Sequence, residues 1–187
     1  MKSVIIDPEK CVGCKHCYLA CAVEHSKEKT LMGAIAESPG PKARVFVDIS
    51  LDQKAFPNRC RHCDPSPCQD ACPSGAIFRD EDTASVLIDQ TRCINCAMCA
   101  MACPFGVIRF YPEAQMPFHR TVALKCDNCV DRLKADREPA CVAACKTGAL
   151  QFGELNEVLR QRHLVAIRQE KPPEGVQLWR RMNASMT

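Results

Sequence analysis

Short apolar segments, rather than long periodic ones, dominate the hydrophobic pattern of this 187-residue chain. Brief runs of apolar and β-branched residues between turn residues are typical of short strands. Five strands are predicted, at residues 4–6, 44–48, 85–88, 107–110 and 149–152. Short helices are predicted to begin near Cys17, Cys68, Cys99 and Cys141, for example at residues 17–25 and 140–145. Loops are predicted at 37–41 and 112–117, where prolines and polar residues gather.

One segment occurs three times. The copies are ACPSGAIF from Ala71, ACPFGVIRF from Ala102 and ACKTGALQF from Ala144. Each has a cysteine, two further residues, a glycine and then apolar residues. Because glycine adopts a left-handed backbone at little cost, the pattern indicates a tight turn that leads into a strand. The repeat predicts a loop-rich α+β fold built from tandem modules.

The C-terminal part has a different character. Residues 153–187 contain no cysteine, and Leu155, Val158, Leu159 and Arg162 follow a helical spacing. This helix is predicted to end before Pro172, with Trp179 in an extended tail. We therefore expect a cysteine-rich domain over residues 1–152 and a C-terminal helix and tail over residues 153–187, with the helix packed on the protein's own surface.

Composition changes the picture, because sixteen residues are cysteine and only 5 % are aromatic. Large aromatic side chains normally supply much of a core, so another kind of core is expected here. The N-terminal sequence MKSVIIDPEK has no apolar export segment, which predicts a cytoplasmic protein. Disulfides are scarce in a reducing cytosol, so the cysteines indicate metal binding.

The cysteines fall into four runs of four. Two runs follow C-x2-C-x2-C-x3-C, and the other two keep the opening C-x2-C and the closing C-x3-C around a longer middle. The runs are Cys11, Cys14, Cys17 and Cys21; Cys60, Cys63, Cys68 and Cys72; Cys93, Cys96, Cys99 and Cys103; and Cys126, Cys129, Cys141 and Cys145.

This spacing is that of bacterial ferredoxins, in which three close cysteines bind one 4Fe–4S cubane and the fourth binds a second cubane. Two runs then hold two clusters jointly, so four runs predict four clusters with every cysteine used. The spacing leaves open whether the runs pair in sequence order or in a nested order. A zinc-ribbon binding module is the first alternative, but structural zinc takes two pairs of ligands rather than runs of this kind.

Full ligation by cysteine also indicates function. A cubane with four thiolate ligands has no open position for a substrate, and the sequence contains no phosphate-binding loop or nucleophile–base pair. We therefore expect an electron-transfer protein without a catalytic site. The alternative enzyme, with a labile iron at one cluster, would turn over substrate with no partner present.

The runs resemble the four-cluster polyferredoxin subunits of molybdenum, tungsten and nickel oxidoreductases. The stretches CVGCKHCYLACAVEHSKEKTL and KCDNCVDRL…EPACVAAC are most similar to the ferredoxin-like subunit associated with CO dehydrogenase. This resemblance implies nested pairing, with four ligand sets. They are Cys11, Cys14, Cys17 and Cys145 (cluster 1); Cys60, Cys63, Cys68 and Cys103 (cluster 2); Cys93, Cys96, Cys99 and Cys72 (cluster 3); and Cys126, Cys129, Cys141 and Cys21 (cluster 4).

The expected function is a relay of single electrons between a catalytic oxidoreductase subunit and a second redox partner. CO dehydrogenase is the favoured catalytic partner, and a tungsten aldehyde oxidoreductase, formate dehydrogenase or hydrogenase is the alternative. The second partner is expected to be a hydrogenase, a flavoprotein or a ferredoxin, with no nucleic acid and no membrane span. Each oxidised site adds two negative charges, so four clusters would take the formal charge from +3 to about −5.

Overall fold

The computed structural model describes residues 2–50, 54–112 and 120–168. Its elements are short and alternate between strands and helices. The strands are β1 (Lys2–Ile6), β2 (Val45–Ile49), β3 (Ala55–Arg59), β4 (Ile77–Arg79), β5 (Val86–Ile88), β6 (Arg109–Pro112), β7 (Thr121–Leu124) and β8 (Leu150–Glu154). The helices are α1 (His16–Glu24), α2 (Leu31–Ala36), α3 (Pro67–Asp70), α4 (Met98–Ala102), α5 (Val130–Lys134), α6 (Ala140–Ala143) and α7 (Leu155–Arg168).

The strands form antiparallel pairs rather than one broad sheet. Three pairs join neighbouring strands, β2 with β3, β4 with β5, and β6 with β7. The remaining pair joins β1 to β8, with Val4 opposite Phe152. This last pair brings the beginning of the chain beside the segment that follows the fourth cysteine run, so the first and fourth runs lie on the same part of the molecule.

Small apolar side chains and cysteines share the core. One buried group contains Val86, Val122 and Ala123 together with Cys93 and Cys99. A second contains Val4, Val45 and Leu150 with Cys17, Cys21 and Cys141, and a third joins Val107 to Cys60 and Cys126. The core is thus divided into three parts built from small side chains instead of large aromatic ones, and every part includes cysteine thiols.

Helix α7 packs against β1 and β8. An ion pair of 3.1 Å between Arg162 and Asp7 fixes the helix to the segment after β1. Leu155, Leu159 and Val165 nevertheless stay about half exposed. The helix therefore packs on the chain's own surface but leaves part of its apolar side uncovered.

The predicted elements match the structure closely but not residue by residue. The strand predicted at 107–110 begins two residues later as β6, and the helix predicted at 140–145 ends at Ala143. Strands β3 and β7 and helices α2 and α5 were absent from the sequence prediction, because each is only four to six residues long and too short to show a periodic pattern. Trp179 and most of the loop predicted at 112–117 lie outside the described residues. The division into residues 1–152 and 153–187 stays a prediction.

None of the helices in the described ranges is long and apolar enough to cross a membrane.

We expect Val45→Ala to lower the free energy of unfolding by about 2 kcal/mol, because two buried methyl groups are lost and a cavity remains. Val45 is 2 % exposed and packs in the second buried group. Anaerobic urea unfolding followed by far-ultraviolet circular dichroism measures the change. Ile49→Ala is the control on the same strand, since Ile49 is 63 % exposed and its loss should cost less than about 0.5 kcal/mol. Equal losses in the two variants would contradict this description of the core.

Candidate functional site

The structure brings the sixteen cysteines together in four groups. Three groups line separate cavities of similar size. Group 1 is Cys11, Cys14, Cys17 and Cys145; group 2 is Cys60, Cys63, Cys68 and Cys103; group 3 is Cys93, Cys96, Cys99 and Cys72. Three cavities of nearly equal size and identical donor set suit one kind of occupant.

Group 4 consists of Cys21, Cys126, Cys129 and Cys141. Each of these four is between 5 and 7 % exposed. Their thiols are close enough for the charges of Cys126, Cys141 and Cys129 to raise the pKa of Cys21, although burial is the larger cause. In each of the four groups, three thiols come from one run and the fourth from another run.

The groups follow one another in a line. Helix α1 joins group 1 to group 4, because it carries Cys17 and Cys21 one turn apart. Group 4 meets group 2 where Cys126 and Cys60 share a buried cluster with Val107. Helix α3 joins group 2 to group 3, since it carries Cys68 and is followed by Cys72. The order in space is therefore 1, 4, 2, 3.

Each opening C-x2-C loop turns back on itself at the residue before its second cysteine. The φ angles there are 69° at Gly13, 50° at His62, 57° at Asn95 and 62° at Asn128. Glycine, asparagine and histidine are the residues that tolerate this left-handed conformation best. Successive backbone N–H groups around such a residue point into a common concavity, which is a binding site for anions and for iron–sulfur centres.

Backbone N–H groups also donate directly to the sulfurs. Five such bonds have N···S distances between 3.2 and 3.4 Å. The donors and acceptors are Arg44 to Cys21, His62 to Cys60, Ala123 to Cys93, Asn128 to Cys126 and Leu150 to Cys145. Because these bonds favour the thiolate over the thiol, the loops are arranged for charged sulfur.

Burial works against that charge in the protein alone. It raises the pKa of Cys17, Cys99 and Cys141 to about 11 and that of Cys129 to about 12. These thiols are neutral at physiological pH unless a cation binds them. Metal ligation therefore releases protons here and supplies the positive charge that the buried sulfurs require.

Cys72 and Cys145 differ from the more deeply buried thiols. Burial again acts to raise their pKa, but hydrogen bonds from backbone N–H groups and from the hydroxyls of Ser74 and Thr147 outweigh it and lower the pKa of both cysteines. Each hydroxyl lies two residues after its cysteine and directly before the glycine of the repeated segment. The repeat therefore places a polar donor beside the closing cysteine of each of these two runs.

Exposure distinguishes the two ends of the line from its middle. Cys14 of group 1 and Cys96 of group 3 are exposed, whereas group 4 is buried throughout. The residue after the first cysteine of the run is Val12, 70 % exposed, in group 1 and Ile94, 60 % exposed, in group 3. The corresponding residues in the two middle groups are polar, Arg61 and Asp127.

Comparison with known protein families decides the type of protein. A family model described as the 4Fe-4S dicluster domain matches residues 51–155. A second model, the 4Fe-4S binding domain, matches residues 8–24. The chain belongs to the 4Fe–4S dicluster family.

Full-length relatives agree with this assignment. An iron-sulfur protein of Rhodospirillum rubrum is 38 % identical and covers 97 % of this chain and 95 % of its own length. The thiosulfate reductase electron transfer subunit PhsB of Salmonella typhi is 36 % identical over 94 % of this chain and 89 % of its own. A tetrathionate reductase subunit of Salmonella typhimurium is 33 % identical over 92 % of this chain and 68 % of its own.

The residues of this dicluster protein fit 4Fe–4S clusters in a further respect. His62 is 1 % exposed and lines the cavity of group 2. Burial lowers the pKa of His62 well below its usual range, so the ring is neutral. The N–H of Val86 donates to Nδ1 at 3.0 Å, which puts the ring proton on Nε2. Nε2 has no hydrogen-bond partner within the described residues, and an N–H in this position suits a cluster sulfur.

A charged network that sequence reasoning missed holds group 4 of this dicluster protein in place. Asp127 accepts hydrogen bonds from His25 Nε2 at 3.1 Å, from the N–H of Cys129 at 2.9 Å and from Arg44. His25 also contacts the carbonyl of Cys21 at 2.7 Å. Burial alone raises the pKa of Asp127, but His25 and Arg44 outweigh it and hold that pKa well below its usual range.

Neither His25 nor Asp127 has a metal-ligand spacing of its own, so nothing in the sequence pairs them across 102 positions. Arg44 was grouped only with a predicted strand. The sequence contained one indirect signal, which was an acidic residue inside a C-x2-C loop. A carboxylate beside a negatively charged cluster is unfavourable unless cations surround it.

We expect Asp127→Asn to lower the free energy of unfolding by about 2 kcal/mol, because Arg44 and His25 lose the negative charge of their acceptor. The pKa of Asp127 is depressed in the folded protein, so its contribution is full above the unfolded pKa and is lost only as pH falls below about 4. Anaerobic urea unfolding at several pH values should therefore give the same loss from pH 5 to pH 8.

Asp131→Asn is the matched control for this measurement. Asp131 lies four residues further on, is 86 % exposed, and faces Lys29 at 3.8 Å. An exposed pair of this kind contributes less than about 1 kcal/mol. A loss for Asp127→Asn that is no greater than the loss for Asp131→Asn would show that the network does not hold group 4.

Proposed function

We propose that this chain relays single electrons through four 4Fe–4S clusters, with groups 1 to 4 as the four ligand sets. A bound cubane supplies one-electron redox chemistry, in which the core alternates between 2+ and 1+. The proposal is supported by the equality of the four groups, since each offers four thiols and a backbone loop directed at a common centre. It includes the nested pairing of runs, first with fourth and second with third.

The observation that supports the proposed relay is the linear order of the cysteine groups, 1, 4, 2, 3. Electron transfer between protein-bound centres needs closely spaced sites and an accessible site at each end. Here the exposed cysteines, Cys14 and Cys96, belong to the two end groups, and the buried group 4 lies inside the line. Single electrons would enter at one end group and leave at the other.

The end loops are suited to contact with other proteins. Val12 and Ile94 are exposed apolar residues beside end-group cysteines, and Met101, 72 % exposed, extends the surface at group 3. Exposed apolar residues of this kind are typical of protein–protein contact sites. In the proposed relay the protein therefore positions two clusters near two surfaces, and it buries all four cysteines of group 4 between them.

We propose a catalytic oxidoreductase subunit as one partner and a second redox protein, such as a hydrogenase, a flavoprotein or a ferredoxin, as the other. The names of two relatives above favour a reductase of thiosulfate or tetrathionate as the type of catalytic enzyme. CO dehydrogenase, which the sequence resemblance favours, stays a prediction, as do the aldehyde oxidoreductase, formate dehydrogenase and hydrogenase alternatives. The chain itself is proposed to have no catalytic site, and its cytoplasmic location stays a prediction.

A pair of double variants tests the nested pairing. Cys11→Ala/Cys145→Ala removes two ligands of one cluster if the pairing is nested. We expect one of four electron paramagnetic resonance (EPR) signals to disappear from the reduced protein and the other three to stay unchanged. Sequential pairing predicts changes in two signals, because Cys145 would then belong with the third run.

The matched control is Cys99→Ala/Cys145→Ala. It combines the same closing cysteine with a residue of the third run, so nested pairing predicts changes in two signals and sequential pairing predicts the loss of one. Opposite outcomes are therefore required of the two double variants. One altered signal in the control and two in the test variant would overturn the nested assignment.

Charged substitutions at the end loops test the relay. Val12→Glu and Ile94→Glu should each disrupt one partner contact and leave the iron content and the EPR signals unchanged, because neither side chain is buried or a ligand. We expect one variant to lose co-purification with the catalytic subunit. The other should keep that contact but accept or donate electrons to the second partner at least about tenfold more slowly in stopped-flow measurements.

Leu159→Glu provides the control, since Leu159 is 47 % exposed on helix α7 and lies outside the cysteine loops. It should behave like the unmodified protein in both measurements. Normal co-purification and normal transfer rates in both Val12→Glu and Ile94→Glu would contradict a relay that enters and leaves through groups 1 and 3.

A further inference from the structure

A basic residue precedes the first cysteine of every run, but its surroundings differ between the ends and the middle of the line. Lys10 and Arg92, at groups 1 and 3, are exposed. Arg59 and Lys125, at groups 2 and 4, are 1 % and 4 % exposed. The same sequence position thus gives two solvated cations at the ends and two buried cations in the middle.

Arg59 lies at the end of β3 and reaches from its own run to group 4. Its Nη2 donates to Cys126 Sγ at 3.1 Å and to Asn128 Oδ1 at 2.8 Å. Asn128 is itself fixed by a hydrogen bond of 3.1 Å from its Nδ2 to Ser85 Oγ. The Nε and Nη1 atoms of Arg59 are buried and have no hydrogen-bond partner in the part of the chain that the structure describes.

Lys125 reaches in the opposite direction. It directly precedes Cys126 of group 4, yet its Nζ lies 3.7 Å from Cys60 Sγ of group 2. The same ammonium donates to the carbonyls of Val86 and Cys126. Each cation therefore begins in one middle run and contacts a sulfur of the other, so the pair spans the junction between groups 4 and 2.

Within the described residues, neither cation forms an ion pair with a carboxylate. Asp127, the acidic residue within the loop of group 4, is occupied by Arg44 and His25. Two buried cations without a counter-charge are strongly unfavourable. Two cubanes, each with four cysteine ligands, carry the missing negative charge, two units each when oxidised and three when reduced.

We propose that Arg59 and Lys125 form a buried cation bridge that raises the reduction potentials of the clusters in groups 2 and 4, so that these two clusters are reduced before the end clusters. The inference rests on the proposed function. Burial by itself disfavours the more negative reduced state, so the cluster of group 4, whose four cysteines are all buried, would otherwise be harder to reduce than the end clusters. Fixed positive charge beside their sulfurs reverses that order, because it interacts more favourably with the reduced cluster. Each reduction adds one electron from a donor, here a catalytic partner or a chemical reductant, and breaks no bond.

The test is an EPR-monitored reductive titration with dithionite and mediators. Arg59→Gln and Lys125→Gln should each make the affected clusters at least tenfold harder to reduce, which for a one-electron couple is a fall of about 59 mV or more in two of the four midpoint potentials. The charge-conserving variants Arg59→Lys and Lys125→Arg should change the oxidised-to-reduced ratio less than twofold. Lys10→Gln and Arg92→Gln, at the same position of the end runs, should leave all four potentials nearly unchanged.

Equal shifts in the glutamine and charge-conserving variants would assign the effect to packing rather than charge and overturn the proposal, as would unchanged potentials in both glutamine variants.

The unmodified protein provides a second measurement that does not depend on a variant folding. When it has taken up two electrons, its EPR signals should resist broadening by a gadolinium chelate in solution, because groups 2 and 4, unlike groups 1 and 3, contain no exposed cysteine. Broadened signals would overturn the proposal even with four couples present, whereas fewer than four couples would instead overturn the four-cluster function.

Discussion

The ligation of buried thiolates by a positive metal core is the interaction on which the rest of this structure depends. Half of the sixteen thiols that form the four groups are buried, and burial raises the pKa of those in the interior. A folded chain that kept them as free thiols would have a core of small side chains divided into three parts. Loops, helices and strand pairs all serve to bring three thiols from one run and one from another to a common centre.

Most of the polar contacts of the site stabilise negative charge on the cysteine sulfurs. Left-handed residues at Gly13, His62, Asn95 and Asn128 direct backbone N–H groups inward. Five backbone N–H groups donate to sulfur, two of them from these loops. Asp127 is the exception, and it is stabilised in the loop of group 4 by Arg44, His25 and the N–H of Cys129. Among the described residues, Arg59 and Lys125 are the two cationic side chains that are buried, so these two supply counter-charge to the interior.

The sequence predicted the parts of this site that depend on spacing along the chain. C-x2-C openings and C-x3-C closings identified all sixteen thiols, and the short strands followed from local apolar runs. The sequence did not reveal the long-range contacts, because Arg59 and Lys125 acquire their roles only when β3 and the fourth run meet. Asp127 acquires its role only when the fourth run meets His25 and Arg44. The nested pairing likewise came from resemblance rather than from spacing. The structure adds a physical reason for it, since the pairing of β1 with β8 carries the fourth run back to the first.

The iron and acid-labile sulfide content of the chain, purified without oxygen, tests the central claim most directly. Four cubanes ligated by sixteen cysteines predict about sixteen irons and about sixteen sulfides per chain, with the broad brown absorbance of iron–sulfur proteins. About eight irons per chain would leave two of the four groups without clusters and contradict the four-cluster relay. A colourless protein that contains zinc in fixed proportion would contradict the iron–sulfur assignment altogether.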